Sequence, residues 1–141
     1  MARRVGRILA FQGIYAWGAV GQGEFGTIED ILSFSWADSP IDEKTAAFAR
    51  LLAAGTIEHS EEIDTLIKKH LQNWDFDRVN RVDLAILRMS VYSLLYNRDI
   101  HPTIVINEAV DLAKEFSGED SFKFVNAVLD TILKETICAE L

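Results

Sequence analysis

Residues 78–97 read RVNRVDLAILRMSVYSLLYN, a stretch whose middle is apolar around almost the whole circumference of a helix. A helix of this kind is typical of the centre of a core, because no side of it is suited to water. We therefore predict a central helix over these residues, with Asp77 as its N-cap. Its apolar positions recur at helical spacing: Val79, Val82, Ile86, Met89, Leu94 and Leu95.

The rest of the chain also follows the helical period, and no segment alternates with a period of two. Three glycines end the first helix, Ser39 and Pro40 suit a helix start, and Gly55 suits a helix end. His101-Pro102 and residues 117–120 mark two further boundaries. The sequence therefore predicts an all-α fold of about seven helices. The predicted helices cover about 2–19, 25–36, 40–55, 57–71, 78–97, 102–116 and 121 onward.

Composition restricts the class of protein. The chain has 141 residues, of which 49% are hydrophobic and 26% charged, which fits one globular domain. No apolar run approaches the ~20 residues of a membrane span, and the apolar start contains aromatics rather than a cleavage site. The single cysteine, Cys138, allows no internal disulfide. We predict a soluble cytoplasmic protein, in which Cys138 is either inert or a contact in a homodimer.

Charge is distributed unevenly along the sequence. Residues 1–23 contain Arg3, Arg4 and Arg7 and no acid, whereas residues 24–64 contain two basic and ten acidic residues. The whole chain carries a formal charge of −8. A basic segment on an acidic protein suggests a local site for an anion. Because Phe11 and Tyr15 share a helix face with Arg4 and Arg7, single-stranded RNA is a candidate ligand; at least one of the two rings should pack in the core.

A second candidate site is the start of the last helix, EDSFKFVN at 119–126. Free backbone N–H groups at a helix start attract anions, and Lys123 lies between two phenylalanines. The alternative is that Asp120 or Ser121 only caps the helix and the rings belong to the core. Asn107, Glu108 and Asn126 are expected to be buried hydrogen-bonding anchors.

Enzyme chemistry is not visible in the sequence. The three histidines are scattered, so no metal site is predicted, and neither a phosphate-binding loop nor a dinucleotide fingerprint occurs. No cofactor is expected. A small helical enzyme that uses Glu108 or His101 is a minor alternative.

Three segments together resemble one family. ARRVGRILAFQGIYAW (2–17), NWDFDRVNRVDLAILRMSVYSLLY (73–96) and IHPTIVINEAVDLAKEFSGEDSFKFVNAVLD (100–130) are similar to the NusB family of bacterial transcription antitermination proteins. The resemblance implies one NusB-like domain of two packed three-helix subdomains, about 1–72 and 73–141, bridged by the first helix. It implies a protein without catalytic activity. It also implies binding of boxA RNA in ribosomal RNA leader transcripts together with NusE, a ribosomal protein, within the RNA polymerase antitermination complex with other Nus factors.

The same resemblance assigns residues. The family's arginine motif for RNA matches Arg3, Arg4 and Arg7, and Tyr15 and Asp83 match positions on the surface that faces NusE. The second RNA-facing segment matches Asp120, Ser121, Lys123 and Phe124.

This chain also departs from the family pattern. Val5 stands where many members have another basic residue, and Phe122 stands where histidine or a small residue is common. Ala127 replaces the glycine that usually follows the asparagine, and Ser117-Gly118 stands where the family usually has the glycine first. These differences leave open a protein–protein adaptor with little RNA binding of its own. They also leave open whether Phe122 stacks on RNA or packs. Since the chain is acidic, we expect a basic partner to dock on an acidic surface that includes Asp83 and to assist RNA binding.

Overall fold

The computed structural model describes residues 2–20, 28–37, 40–71 and 75–137. Seven α-helices and no strand occur within these ranges, which confirms the predicted all-α class. The helices are α1 (Ala2–Val20), α2 (Ile28–Ile31), α3 (Glu43–Glu58), α4 (Ser60–Lys69), α5 (Arg81–Tyr96), α6 (Pro102–Phe116) and α7 (Ser121–Ile132). A single 3-10 turn (Phe76–Arg78) precedes α5, and a π-helical turn (Leu133–Ile137) continues α7.

Helix α5 is the centre of the core, as its apolar circumference predicted. Ten of its sixteen residues are buried, and α1, α3, α4, α6 and α7 all pack against it. The predicted N-cap was wrong, because Asn80 caps α5 in place of Asp77. The Asn80 side chain accepts hydrogen bonds from the backbone N–H groups of Val82 and Asp83, at 2.7 and 3.4 Å. The 3-10 turn at 76–78 explains why α5 begins later than predicted, because this turn occupies residues at the predicted helix start.

Helix α1 packs against helices from both halves of the sequence. A Cβ atom on Gly6 would lie 2.7 Å from the Phe48 ring of α3, so the missing side chain lets the two helices approach closely. On the other side, Phe11 is buried and its ring centroid lies 5.3 Å from that of Phe116 in α6. Phe11 therefore belongs to the core, as expected for one of the two aromatics of α1.

Two helix boundaries in the first half differ from the prediction. Helix α3 begins after Asp42, whose side chain accepts a hydrogen bond from the backbone N–H of Thr45 at 2.6 Å, while Ser39 lies outside the described residues. This hydrogen bond lowers the pKa of the Asp42 carboxyl. Gly55 does not end α3, which continues to Glu58. Tyr92 of α5 occupies the space where a side chain at position 55 would lie, so glycine fits this position within the helix.

The predicted helix over residues 25–36 is mostly absent from the described part. Helix α2 has only four residues, and two backbone hydrogen bonds of the i to i+3 type follow it. Phe34 then adopts a φ of 54°, a left-handed conformation that a continuing helix cannot contain. Phe34 is buried by this turn, and Trp36 is placed to donate a hydrogen bond from Nε1 to Oε1 of Gln12 at 3.0 Å.

The C-terminal helices follow the prediction closely. His101 caps α6 through Nδ1, which accepts a hydrogen bond from the Thr103 backbone N–H at 3.1 Å, and Pro102 occupies the first turn. At the far end of α7, the π-helical turn is tied to α4 because Nε2 of buried His70 lies 3.1 Å from a carboxylate oxygen of Glu135. Within the described ranges, no helix has the length and apolarity needed to cross a membrane.

Replacement of Gly55 by alanine tests the contact with α5. An added Cβ would lie 2.3 Å from Tyr92 Cζ, and that ring is also stacked on His59, so the ring must shift as a whole. Gly55→Ala should lower the free energy of unfolding by about 1–2 kcal/mol despite alanine's better helix propensity. Gly118→Ala is the matched control, since its Cβ would meet only Ser121 Oγ at 3.7 Å. Urea unfolding of both variants measures the difference, and a stabilised Gly55→Ala protein would contradict the packing.

Candidate nucleic-acid interface

The last turn of α6 joins the two segments that the sequence singled out for RNA. Glu115 in this turn forms an ion pair with Arg4 of α1. Its neighbour Lys114 places its ammonium 4.8 Å from the centroid of the Phe122 ring at the start of α7. The arginine segment and the 120–124 segment, separated by about a hundred residues, therefore contact two successive residues of one helix turn and border a common surface.

Arg4 and Arg3 are the accessible cations of the arginine segment. The Arg4 side chain is 40% exposed while it pairs with Glu115, so a phosphate could reach the guanidinium but would compete with that carboxylate. Arg3 is exposed, and its guanidinium carbon lies 5.4 Å from the centroid of the Phe48 ring. In the described part of the chain, Arg3 has no ion pair.

Arg7 has a different environment from the other two arginines. It is only 4% exposed, its guanidinium lies 3.6 Å from a Glu108 carboxylate oxygen, and its carbon lies 5.7 Å from the Phe48 centroid. Burial lowers the pKa of the guanidinium, an effect that the nearby Glu108 carboxylate opposes. Nη2 of Arg7 is buried without a hydrogen-bond partner. Arg7 thus joins α1 to both α3 and α6 and presents little surface to a ligand.

The second segment forms the first turn of α7. Asp120 is the N-cap residue but its side chain makes no capping hydrogen bond, in contrast to the expected cap, and instead lies 3.8 Å from Lys123 Nζ. The Ser121 hydroxyl accepts a hydrogen bond from the Ser117 hydroxyl at 2.9 Å, which closes the turn between α6 and α7. Phe124 is partly exposed and packs against the core.

Lys114 is a candidate that the sequence reading missed. It lies within the 100–130 segment that carries the family resemblance but was not assigned to RNA, and the packing of α6 against α7 shows that it faces Phe122. Phe122 itself is half-buried against the core, with Lys114 near one part of its ring and the Lys123 ammonium 6.0 Å from its centroid. The structure therefore places two cations around the aromatic residue by which this chain departs from its family pattern.

Tyr15 and Asp83, the predicted partner residues, lie on either side of the segment that leads into α5. Tyr15 is 39% exposed and lines a cavity of about 260 Å³ together with Arg81 and Val79. Asp83 lines a second cavity, of about 280 Å³, which Val79 also borders. The same second cavity is bordered by Ser121 and Phe124, so it touches the candidate RNA segment.

The expectation that Asp83 belongs to an acidic surface was wrong. Asp83 is 4% exposed, and its Oδ1 atom is buried without a hydrogen-bond partner. The side chain is turned inward because Asp83 stands in the first turn of α5, where that helix packs near α7. A buried carboxylate oxygen without a donor is costly, so this cavity suits a ligand that brings an N–H group.

The polar residues of α6 and α7 also differ from their predicted role. Asn107 and Asn126 are exposed, so neither is a buried anchor. Glu108 is partly exposed and joins α6 to α1 through Arg7, which gives it a structural role. In the ranges that the structure describes, no group of three or more histidine, cysteine or carboxylate side chains is placed to hold a metal ion.

Comparison with known proteins establishes the family of this chain. The model of the NusB family matches residues 4–134, which include Arg4, Arg7, the 120–124 segment and Asp83. The chain belongs to the NusB family. A relative named transcription antitermination protein NusB, from Treponema denticola, is 52% identical over 94% of this chain and 96% of its own length.

Solved NusB structures share the fold over nearly the full chain. T. maritima NusB superposes with a TM-score of 0.84 at 34% identity, covering 99% of this chain and 97% of that one. A chain from a crystal structure of the antitermination factors NusB and NusE in complex with double-stranded RNA gives a TM-score of 0.79 at 31% identity, covering 94% and 96%. The NusB resemblance of the sequence is thus confirmed in both sequence and structure.

The difference between Arg7 and Arg3 can be measured as stability. Arg7→Ala removes a buried cation from Glu108 and Phe48, and we expect the free energy of unfolding to fall by about 2 kcal/mol. The value is below that of a fully buried ion pair because the Glu108 side chain is 29% exposed. Arg3→Ala is the control, with an expected change within about 0.5 kcal/mol. Equal effects of the two variants in urea unfolding would contradict the structural role of Arg7.

Proposed function

We propose that this NusB-family protein is a transcription antitermination factor that binds boxA RNA of ribosomal RNA leader transcripts together with the ribosomal protein NusE. The observation that carries the proposal is that Arg4 and the 120–124 segment both contact the last turn of α6. These are the residues that match the family's RNA-facing motifs. We further propose that the protein acts by binding alone, without catalysis, in the RNA polymerase antitermination complex with other Nus factors.

On the RNA side, the accessible cations would contact phosphates and position the strand. Arg4, Arg3 and Lys123 have exposed side chains on this surface, whereas Arg7 supports them from below by fixing α1. Ser121 offers a hydroxyl, and the exposed part of Phe124 offers an apolar surface to a base or ribose. Asp120 would act on RNA through Lys123, its ion-pair partner.

On the NusE side, the segment 76–84 and its two cavities would receive the partner. Tyr15 provides an exposed ring, and the buried Asp83 carboxylate provides an acceptor for a lysine or arginine of a basic protein. Because the cavity of Asp83 also touches Phe124, a partner seated there would lie beside bound RNA. The partner could then contribute cations of its own to the same strand.

A requirement for the partner follows from the electrostatics. Arg4 and Lys123, two of the exposed cations on the RNA side, are already paired with carboxylates, and the chain carries a formal charge of −8. RNA must displace these carboxylates before it gains the full phosphate contacts, so the isolated protein should bind weakly. A basic partner offsets the repulsion and adds contacts.

Titration of boxA RNA with the protein, alone and with its NusE, tests the proposal. The dissociation constant should fall at least tenfold with NusE, and each curve should weaken between about 50 and 200 mM salt. Asp83→Asn should abolish most of the NusE effect while leaving the affinity of the isolated protein unchanged. No RNA binding in the presence of NusE would refute the proposed function. Strong NusE binding without RNA binding would instead support an adaptor.

Glu115 offers a test of the competition for Arg4. Glu115→Gln frees the Arg4 guanidinium from its carboxylate, and we expect the affinity of the isolated protein for boxA RNA to rise about threefold to tenfold at low salt. The measurement is fluorescence anisotropy of labelled RNA. Glu58→Gln, at the end of α3, removes the same charge without touching Arg4 and serves as the control. Equal gains in the two variants would show a general charge effect and contradict competition at Arg4.

A further inference from the structure

Phe122 is surrounded by two ammonium groups from different helices. Lys114 Nζ of α6 lies 4.8 Å from the ring centroid, and Lys123 Nζ of α7 lies 6.0 Å from it. Two like charges repel, but the negative face of an aromatic ring attracts each of them. The ring is half-buried and packed against the core, so its position is fixed by the fold and does not depend on a ligand. The Phe122 ring therefore interacts with the ammonium groups of both Lys114 and Lys123.

Lys114 differs from Arg4 and Lys123, two neighbouring cations on this surface. Arg4 is paired with Glu115, and Lys123 is paired with Asp120. Lys114 is exposed and has no carboxylate partner among the described residues, because the adjacent Glu115 is turned toward α1. An anion would bind Lys114 without first breaking an ion pair.

The same geometry argues against base stacking on Phe122. A base stacks on the face of a ring, and the Lys114 ammonium lies at the ring at cation–π distance. A base would have to displace this ammonium and lose its interaction with the ring. A phosphate, in contrast, gains from the ammonium where it already lies.

We propose that Lys114 and Lys123, gathered by Phe122, form a phosphate subsite for the RNA backbone. In this subsite Lys114 is a contact residue not matched by the family's RNA motifs, and Phe122 is a positioning residue. The inference rests on the proposed RNA-binding function and names one further contact within it. Lys123 contributes less to phosphate binding than Lys114, because the Asp120 carboxylate near its ammonium partly neutralises its charge.

Replacement of Lys114 by glutamine tests the subsite through its salt dependence. Loss of one phosphate contact should lower the slope of log K against log salt by about 0.7, and weaken binding about fivefold at roughly 0.1 M salt. The protein is titrated, with NusE present, with boxA RNA and with uridine and adenosine oligonucleotides of about twelve residues. The fold-loss should be the same for the two homopolymers, because a phosphate contact does not depend on the base.

Lys69→Gln is the matched control for charge. Lys69 is exposed at the end of α4, which contacts the far end of α7 through His70 and Glu135. The twelve residues of α7 separate it from Phe122 by about 18 Å. Lys69→Gln should leave the slope unchanged. If Lys114→Gln behaves like Lys69→Gln while the wild type binds RNA, the subsite is refuted and the proposed function stands.

Phe122→Leu tests the positioning role, with thermal unfolding as a check that the variant is folded. We expect a reduced salt slope, and a smaller further loss when Phe122→Leu is combined with Lys114→Gln than when it is made alone. Base stacking predicts the opposite: an unchanged slope, an additive double variant and a greater loss with adenosine than with uridine. That outcome overturns the subsite. A wild-type protein that binds none of these RNAs, even with NusE, overturns both the subsite and the proposed function.

Discussion

The burial of most of α5 is the constraint on which the rest of the structure depends. Five helices pack against it, and Ile86, Leu87 and Val91 are completely buried. Each such side chain contributes roughly 1.5–3 kcal/mol of transfer free energy when it leaves water. A helix with most of its surface buried must be covered by neighbours that approach closely, and Gly55 of α3 permits such an approach to Tyr92. It also explains why Asp83, at the start of α5, is drawn inward with its carboxylate.

The central helix, the helical class and the family could all be predicted from the sequence because each rests on a long pattern. Helix boundaries were less predictable where a local hydrogen bond or a tertiary contact outweighs propensity. In the sequence, Gly55 resembles a helix end. In the structure it lies within α3, where its missing side chain leaves space for the Tyr92 ring of α5. Asp77 resembles a cap, yet the 3-10 turn moves the cap to Asn80. Phe34 ends α2 through a backbone angle that no periodicity reveals.

In the candidate site, too, the sequence pattern predicts some features and tertiary contacts determine the others. Motifs located the arginines and the start of α7, but they treated Arg3, Arg4 and Arg7 alike, and only burial separates Arg7 from the others. Similarly, the sequence alone predicts Asp83 to be an exposed acid and gives no special role to Lys114. Their environments are set by α5, α6 and α7 together, and no spacing within one helix could have indicated them. The sequence therefore predicts the candidate interface, and the packing gives its residues different environments.

The ion pair between Arg4 and Glu115 has a consequence for how the protein would respond to its surroundings. RNA binding depends on salt because a protein cation that reaches a phosphate releases small cations condensed on the RNA. In this protein a carboxylate is already paired with Arg4, and another is paired with Lys123. When RNA binds, each freed carboxylate attracts a small cation in turn. The affinity is thereby buffered, in part, against changes in the ionic composition of the cell.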